Sequence, residues 1–131
     1  METKTRVLVV EDEWLIAEDH VSSLKDAGFE IVGPASSVKT ALRLIQNEHI
    51  DVALLDIGLN GETSYPIADV LKARGVPFAF LSGFVDKDIP VHLRGCRILA
   101  KPAATASLIS LTRELAKEAG EAASAKPGGP T

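Results

Sequence analysis

Several things are scarce in this sequence, and each scarcity removes a class of function. There is one cysteine, Cys96. It can form no internal disulfide and no Cys/His spacing suits zinc, so a reducing, cytoplasmic setting is expected. Positive charge is in deficit. Lys and Arg number 14 against 18 Asp and Glu, a net charge of −4, which argues against a nucleic-acid-binding surface. Val7-Leu8-Val9-Val10, behind the basic N-terminal residues, is too short for a signal-peptide core, and no run approaches a transmembrane span. No membrane partner is expected. His20, His49 and His92 are scattered and read as surface or packing residues.

What is present is one domain's worth of alternating elements. A length of 131 residues suffices for a self-contained core. Residues 1–119 read as that domain, and Gly120 to Thr131, rich in Gly, Ala, Ser and Pro, reads as a frayed tail. Arg6 to Val10 is a continuous apolar strand ending on Glu11-Asp12-Glu13. Trp14, Ala17, Val21 and Leu24 then repeat at three and four, the spacing of an amphipathic helix, which Gly28 closes. Phe29 to Val32 is a short strand ended by Gly33-Pro34. Ser36 or Ser37 can cap a helix with Val38, Ala41, Leu42 and Ile45 on one face.

Asp51 to Leu55 is a third strand that stops on Asp56. After a polar loop, Thr63 or Ser64 can start a helix carrying Ile67, Ala68 and Leu71, with Pro66 suited to its first turn. Pro77 to Leu81 is a fourth strand running into Ser82-Gly83. Pro90 would break a helix begun at Val85, so a short or irregular element is expected between Phe84 and Gly95. Arg97 to Ala100 is a fifth strand ending on Lys101-Pro102, and Leu108, Leu111 and Leu115 mark a last helix from about Ala104 to Ala119.

Strands alternating with helices imply an α/β domain, a doubly wound parallel sheet covered on both faces. Such sheets bind ligands beyond the carboxyl ends of their strands. Those ends carry Glu11, Asp12 and Glu13, then Asp56, Ser82 and Lys101. Each has an ordinary reading alone: a helix-start carboxylate, a turn, a solvated corner. Their meeting on one edge is harder to explain that way. Crowded carboxylates suit a hard divalent cation such as magnesium. A carboxylate nucleophile beside it, with a lysine and a hydroxyl to hold oxygens, makes a phosphoryl-transfer site.

These residues resemble the response-regulator receiver domains of two-component signalling, over roughly residues 5 to 119. The resemblance rests on Val-Leu-Val-Val-Glu11-Asp12, Asp56, Ser82-Gly83 and Lys101-Pro102. It implies a flavodoxin-like five-stranded sheet of order 2-1-3-4-5. It also implies a phosphoacceptor signalling protein, not a dedicated enzyme, with intrinsic magnesium-dependent phosphotransfer and autodephosphorylation. Asp56 would take a phosphoryl group from a sensor histidine kinase or phosphotransfer protein. Asp12 and Asp56 would hold magnesium, with the Gly58 carbonyl and with Glu11 through water. Ser82 and Lys101 would hold phosphoryl oxygens, and Lys101-Pro102 would be a cis peptide. Glu13 receives no role beyond helix initiation. The downstream partner is an unidentified protein.

The sequence also departs from the family. Receivers typically carry Tyr or Phe three residues before the lysine, where this chain has Ile98, and often an aromatic residue after Lys-Pro, where it has Ala103. Pro77 to Phe84 is similar to a Pro-Phe-x-Phe-x-Thr/Ser-Gly-aromatic signature of stand-alone receivers, and Phe84 to Gly95 is expected to carry the phosphorylation-dependent change. A single-domain regulator acting by protein contact or phosphoryl relay is the leading reading. An interaction module that no longer uses phosphorylation is the alternative. Phosphatases of the aspartyl-phosphate kind need a second Asp two residues past the nucleophile, and here that residue is Gly58. Trp14, two residues past Asp12, is the single tryptophan; titrating magnesium or a phosphodonor should change its fluorescence.

Overall fold

A computed structural model describes residues 3–83 and 89–125. Five strands form a parallel sheet: β1 (Arg6–Val10), β2 (Glu30–Ala35), β3 (Val52–Asp56), β6 (Phe78–Ser82) and β7 (Arg97–Ala100), in the order β2-β1-β3-β6-β7. Numbering only these five strands gives 2-1-3-4-5, the expected order. Four α-helices are described: α1 (Trp14–Asp26), α2 (Val38–Asn47), α3 (Tyr65–Ala73) and α4 (Thr105–Ala125). None is long and apolar enough to cross a membrane.

The period of two along each strand sorts the core into two layers. Leu8 and Val10 of β1, with Ala53 and Leu55 of β3, face Ala41 and Ile45 of α2 and Ile67, Ala68 and Leu71 of α3. Val7 and Val9, with Val52 and Leu54, face Leu24 of α1 and Leu108 and Leu115 of α4. Every residue of β3 is buried, which is why its sequence is apolar without alternation until Asp56. Ser37 caps α2 through an Oγ that accepts from the Thr40 N–H, settling the choice between Ser36 and Ser37. Ser64 precedes α3 and Pro66 lies in its first turn.

Three boundaries differ from expectation. Strand β2 does not stop at Gly33-Pro34 but runs through it to Ala35. It is the outermost strand beside β1, the position where a sheet tolerates proline. Gly33 sits at φ +96°, where a Cβ would lie 2.8 Å from the Ala35 nitrogen and 3.1 Å from the Val9 oxygen, and the register with β1 shifts between Leu8 and Val10. The expected polar loop after Asp56 is a small hairpin, β4 (Gly58–Leu59) paired with β5 (Glu62–Thr63). It turns on Asn60 and Gly61, at φ 37° and 84°. Helix α4 continues past Ala119 to Ala125, so the stretch from Gly120 to Ala125 read as frayed is helical. One glycine costs a helix about 1 kcal/mol relative to Ala, which surrounding alanines and glutamates offset.

Between β6 and β7, the described part of the irregular segment holds a single 3-10 turn, Val91–Leu93. Ile89 and Leu93 are buried against the α3 layer, and His92 Nε2 meets Asp69 Oδ1 at 2.6 Å. Residues 84–88, on which part of the expected phosphorylation-dependent change falls, lie outside the described residues.

At the amino-terminal edge of the sheet, Arg6 gathers the starts of neighbouring elements. Its backbone N–H donates to Asp51 Oδ2 at 2.8 Å, and its Nε donates to the His49 carbonyl at 2.7 Å. The guanidinium pairs with Glu48 at 2.9 Å and with Glu30. Isolated exposed pairs contribute little, but here one side chain ties β1 to β2 and to the α2–β3 turn. Arg6→Ala should lower the unfolding free energy in urea by roughly 1–2 kcal/mol, less at high salt, without changing magnesium affinity at the opposite edge.

Candidate functional site

The carboxyl ends of β1, β3, β6 and β7 deliver Glu11, Asp56, Ser82 and Lys101 to one edge, as the parallel topology requires. Cross-strand bonds fix these ends. The Glu11 N–H donates to the Ala35 carbonyl at 2.9 Å, the Ile57 N–H to Leu81 at 3.2 Å, and the Lys101 N–H to Ser82 at 2.8 Å. Lys101-Pro102 is a cis peptide, as expected.

Lys101 is the hub. Its Nζ lies 2.7 Å from Glu11 Oε1 and 3.3 Å from Asp56 Oδ1. Glu11 is 2% exposed; its other oxygen accepts from the Glu13 N–H at 3.2 Å. Asp12 turns one oxygen, Oδ2, to the Asn60 N–H at 3.0 Å, so the β4–β5 turn holds it in place. Oxygens of Glu11, Asp12 and Asp56 all lie within 4.8 Å of one another. Glu13 precedes α1 and makes no side-chain capping bond. A hollow of about 760 Å³ opens beside Asp56, lined also by Gly58, Thr63, Ser82, Lys101, Leu15 and His20.

The electrostatics follow from this crowding. Burial raises the Asp56 carboxyl to about 7, helped by its hydrogen bond to Glu11 and by the Glu11 charge, with Lys101 opposing. Burial alone would lower the Lys101 ammonium, yet the bond to Glu11 and the charges of Asp56 and Glu11 outweigh it and raise the value. A carboxylate that resists ionisation among other carboxylates, all offering oxygen, fits a hard divalent cation. Glu11 has both oxygens engaged, whereas Asp12 keeps one oxygen turned away from its bond to Asn60.

Comparison with known proteins settles the family. The profile described as the response regulator receiver domain matches residues 7–113. This chain belongs to the response regulator receiver domain family. The Mycobacterium tuberculosis (strain CDC 1551 / Oshkosh) protein named transcriptional regulatory protein PdtaR is 30% identical to this receiver over 108 residues, 79% of this chain and 53% of PdtaR. The receiver thus spans about half the length of that curated relative. The solution structure of SdrG from Sphingomonas melonis Fr1 is 34% identical with a TM-score of 0.75, covering 88% of this chain and 98% of SdrG. The response regulator PhyR from Brucella abortus is 26% identical with a TM-score of 0.78, covering 95% of this chain and 53% of that one.

Two features of the receiver's site were missed in the sequence. The Asn60-Gly61 pair is a strong two-residue hairpin signal, and it predicts the β4–β5 turn that holds Asp12. His20 is 5% exposed in the wall of the hollow, with Nδ1 lacking a partner among the described residues. Burial lowers its imidazole despite the nearby charges of Glu11 and Asp19; no periodicity distinguishes it from an apolar helix position. Trp14 is 70% exposed, beside a smaller hollow shared with Glu11 and Asp12.

The raised Asp56 value sets a sign for stability. Below about pH 4 the carboxyl is protonated both folded and unfolded; between 4 and 7 the unfolded chain gives up a proton that the fold retains. Asp56 therefore costs stability increasingly through that window and fully above it. At pH 8 without divalent cation, Asp56→Asn should be more stable than wild type by roughly 1–3 kcal/mol, the gap closing toward pH 4. Magnesium should raise the wild-type melting temperature more than that of Asp56→Asn.

Proposed function

We propose that this receiver is a single-domain response regulator whose Asp56 is phosphorylated by a partner histidine kinase or phosphotransfer protein. It signals by contact with another protein or by relaying the phosphoryl group. The observation that carries this reading is the placement of Asp56 against Lys101 and within reach of Glu11 and Asp12, at the edge where the five parallel strands end. The Pro77 to Phe84 stretch, similar to stand-alone receivers, supports a single-domain unit.

In the proposed reaction an Asp56 oxygen attacks the phosphorus of a phosphohistidine. The O–P bond forms as the N–P bond breaks, and the imidazole leaves with its electron pair. Asp12, Asp56 and the Gly58 carbonyl would hold magnesium, with Glu11 acting through water. When bound, the cation neutralises charge on the carboxylates and phosphoryl oxygens. Lys101 has three N–H donors; its contacts to Glu11 and Asp56 keep it beside the acceptor carboxylate, where it would pair with a phosphoryl oxygen. The Ser82 hydroxyl donates to a phosphoryl oxygen. Charge compensation and positioning supply the catalysis, so no general acid is needed.

The exposure of Ile98, 49%, favours one second reading. Without an aromatic ring there to follow the site, the fold could serve as a constant interaction surface. Incubation with acetyl phosphate and magnesium followed by intact-mass measurement separates the two. Wild type should gain one phosphoryl group and Asp56→Ala none. An unmodified wild type would leave the interaction-module reading.

A further inference from the structure

The strand that carries Ser82 meets an aromatic ring from α3. On β6, Phe78, Phe80 and Ser82 alternate onto the same face of the strand. Phe80 is fully buried in the α3 layer, two residues before the Ser82 hydroxyl. Across the ladder, Phe80 pairs in register with Ile98 of β7, so the two occupy neighbouring positions on one face. Ile98 is aliphatic and half exposed. The ring that meets Phe80 comes instead from α3: Tyr65 packs edge-on against it, centroids 5.9 Å apart and planes at 89°. Phe78 flanks Phe80 from its own strand, with centroids at 5.6 Å.

Tyr65 is tied to the other side of the site as well. The residue before it, Ser64, donates its backbone N–H to the Ile57 carbonyl at 2.9 Å, one residue past Asp56. The Ser64 carbonyl accepts from the Ile67 and Ala68 N–H groups, opening α3. Ser64 itself is fully buried, and its Oγ has no partner among the described residues. The first turn of α3 is thus joined to the phosphoacceptor strand through backbone and to the hydroxyl-bearing strand through a ring contact. A movement of β6 relative to the end of β3 would bear on these two attachments.

We infer that Tyr65, through its edge contact with Phe80, is the ring that registers the state of Asp56 and carries it to the start of α3. This rests on the phosphorylation reading above, and it moves the read-out from β7 to α3. An edge-to-face pair suits the task because its geometry is specific and a small shift of one ring alters the contact of both.

The chain has one tyrosine, so 3-fluorotyrosine labels Tyr65 alone. With acetyl phosphate and magnesium, the fluorine NMR spectrum should show a second resonance displaced beyond the linewidth. Its fraction should follow the phosphorylated fraction measured by intact mass. In Phe80→Leu the adduct should still form while the displacement is lost. An adduct on the wild type with an unmoved Tyr65 resonance would overturn the inference and leave the phosphorylation reading standing. A displacement of equal size in Phe80→Leu would overturn it too. Absence of any adduct on wild type would remove both.

Discussion

Glu11 and Asp56 share a single ammonium, Lys101, at the end of a parallel sheet, with Asp12 crowded beside them, and the surrounding structure serves to hold that crowd together. Left to itself the cluster would relax by moving apart, since like charges at this spacing in a partly dry setting repel by several times the thermal energy. It cannot relax because each member sits at the end of an element anchored in the core. Val7 to Val10 and Val52 to Leu55 are almost wholly buried. Displacing Asp56 would mean sliding a fully buried strand. The rigidity of the two apolar layers thus becomes a property of the site, which keeps its carboxylates close together.

Much of this was legible in sequence because the same physics writes both patterns. Continuous apolar runs at Val7 to Val10 and Val52 to Leu55 signal strands covered on both faces, and strand polarity in an alternating α/β chain sends their carboxyl ends to one edge. That pattern alone assigns Glu11, Asp12, Asp56, Ser82 and Lys101 to one edge. Helix boundaries that depend on a specific signal, such as Gly28, the Ser36-Ser37 pair and Pro66, were legible for the same reason.

What escaped depended on tertiary context. Gly33-Pro34 reads as a stop signal, and only the outer position of β2 lets the strand pass through it. The end of α4 was read from composition, although a run of alanines around Gly120 serves a helix as well as a tail. The aromatic contact of Tyr65 with Phe80 joins residues on different elements and leaves no periodic trace. The burial of His20 follows from its place between Ala17 and Leu24 on the inward stripe of α1, but its polar side chain read as one of three scattered histidines.

The irregular stretch of β2 ties the far edge of the sheet to the acidic cluster. Because Gly33 lets the chain step over Val9, Ala35 arrives where its carbonyl receives the Glu11 N–H. Position 33 presents no side chain and touches none of the charged groups, yet a β-carbon there would meet the backbone of both strands. In terms of mutational tolerance, Gly33 belongs with the acidic residues and not with the surface it lies on. An edge strand, ordinarily the most permissive part of a sheet, here contains a position where variation is excluded by the needs of a site it never contacts.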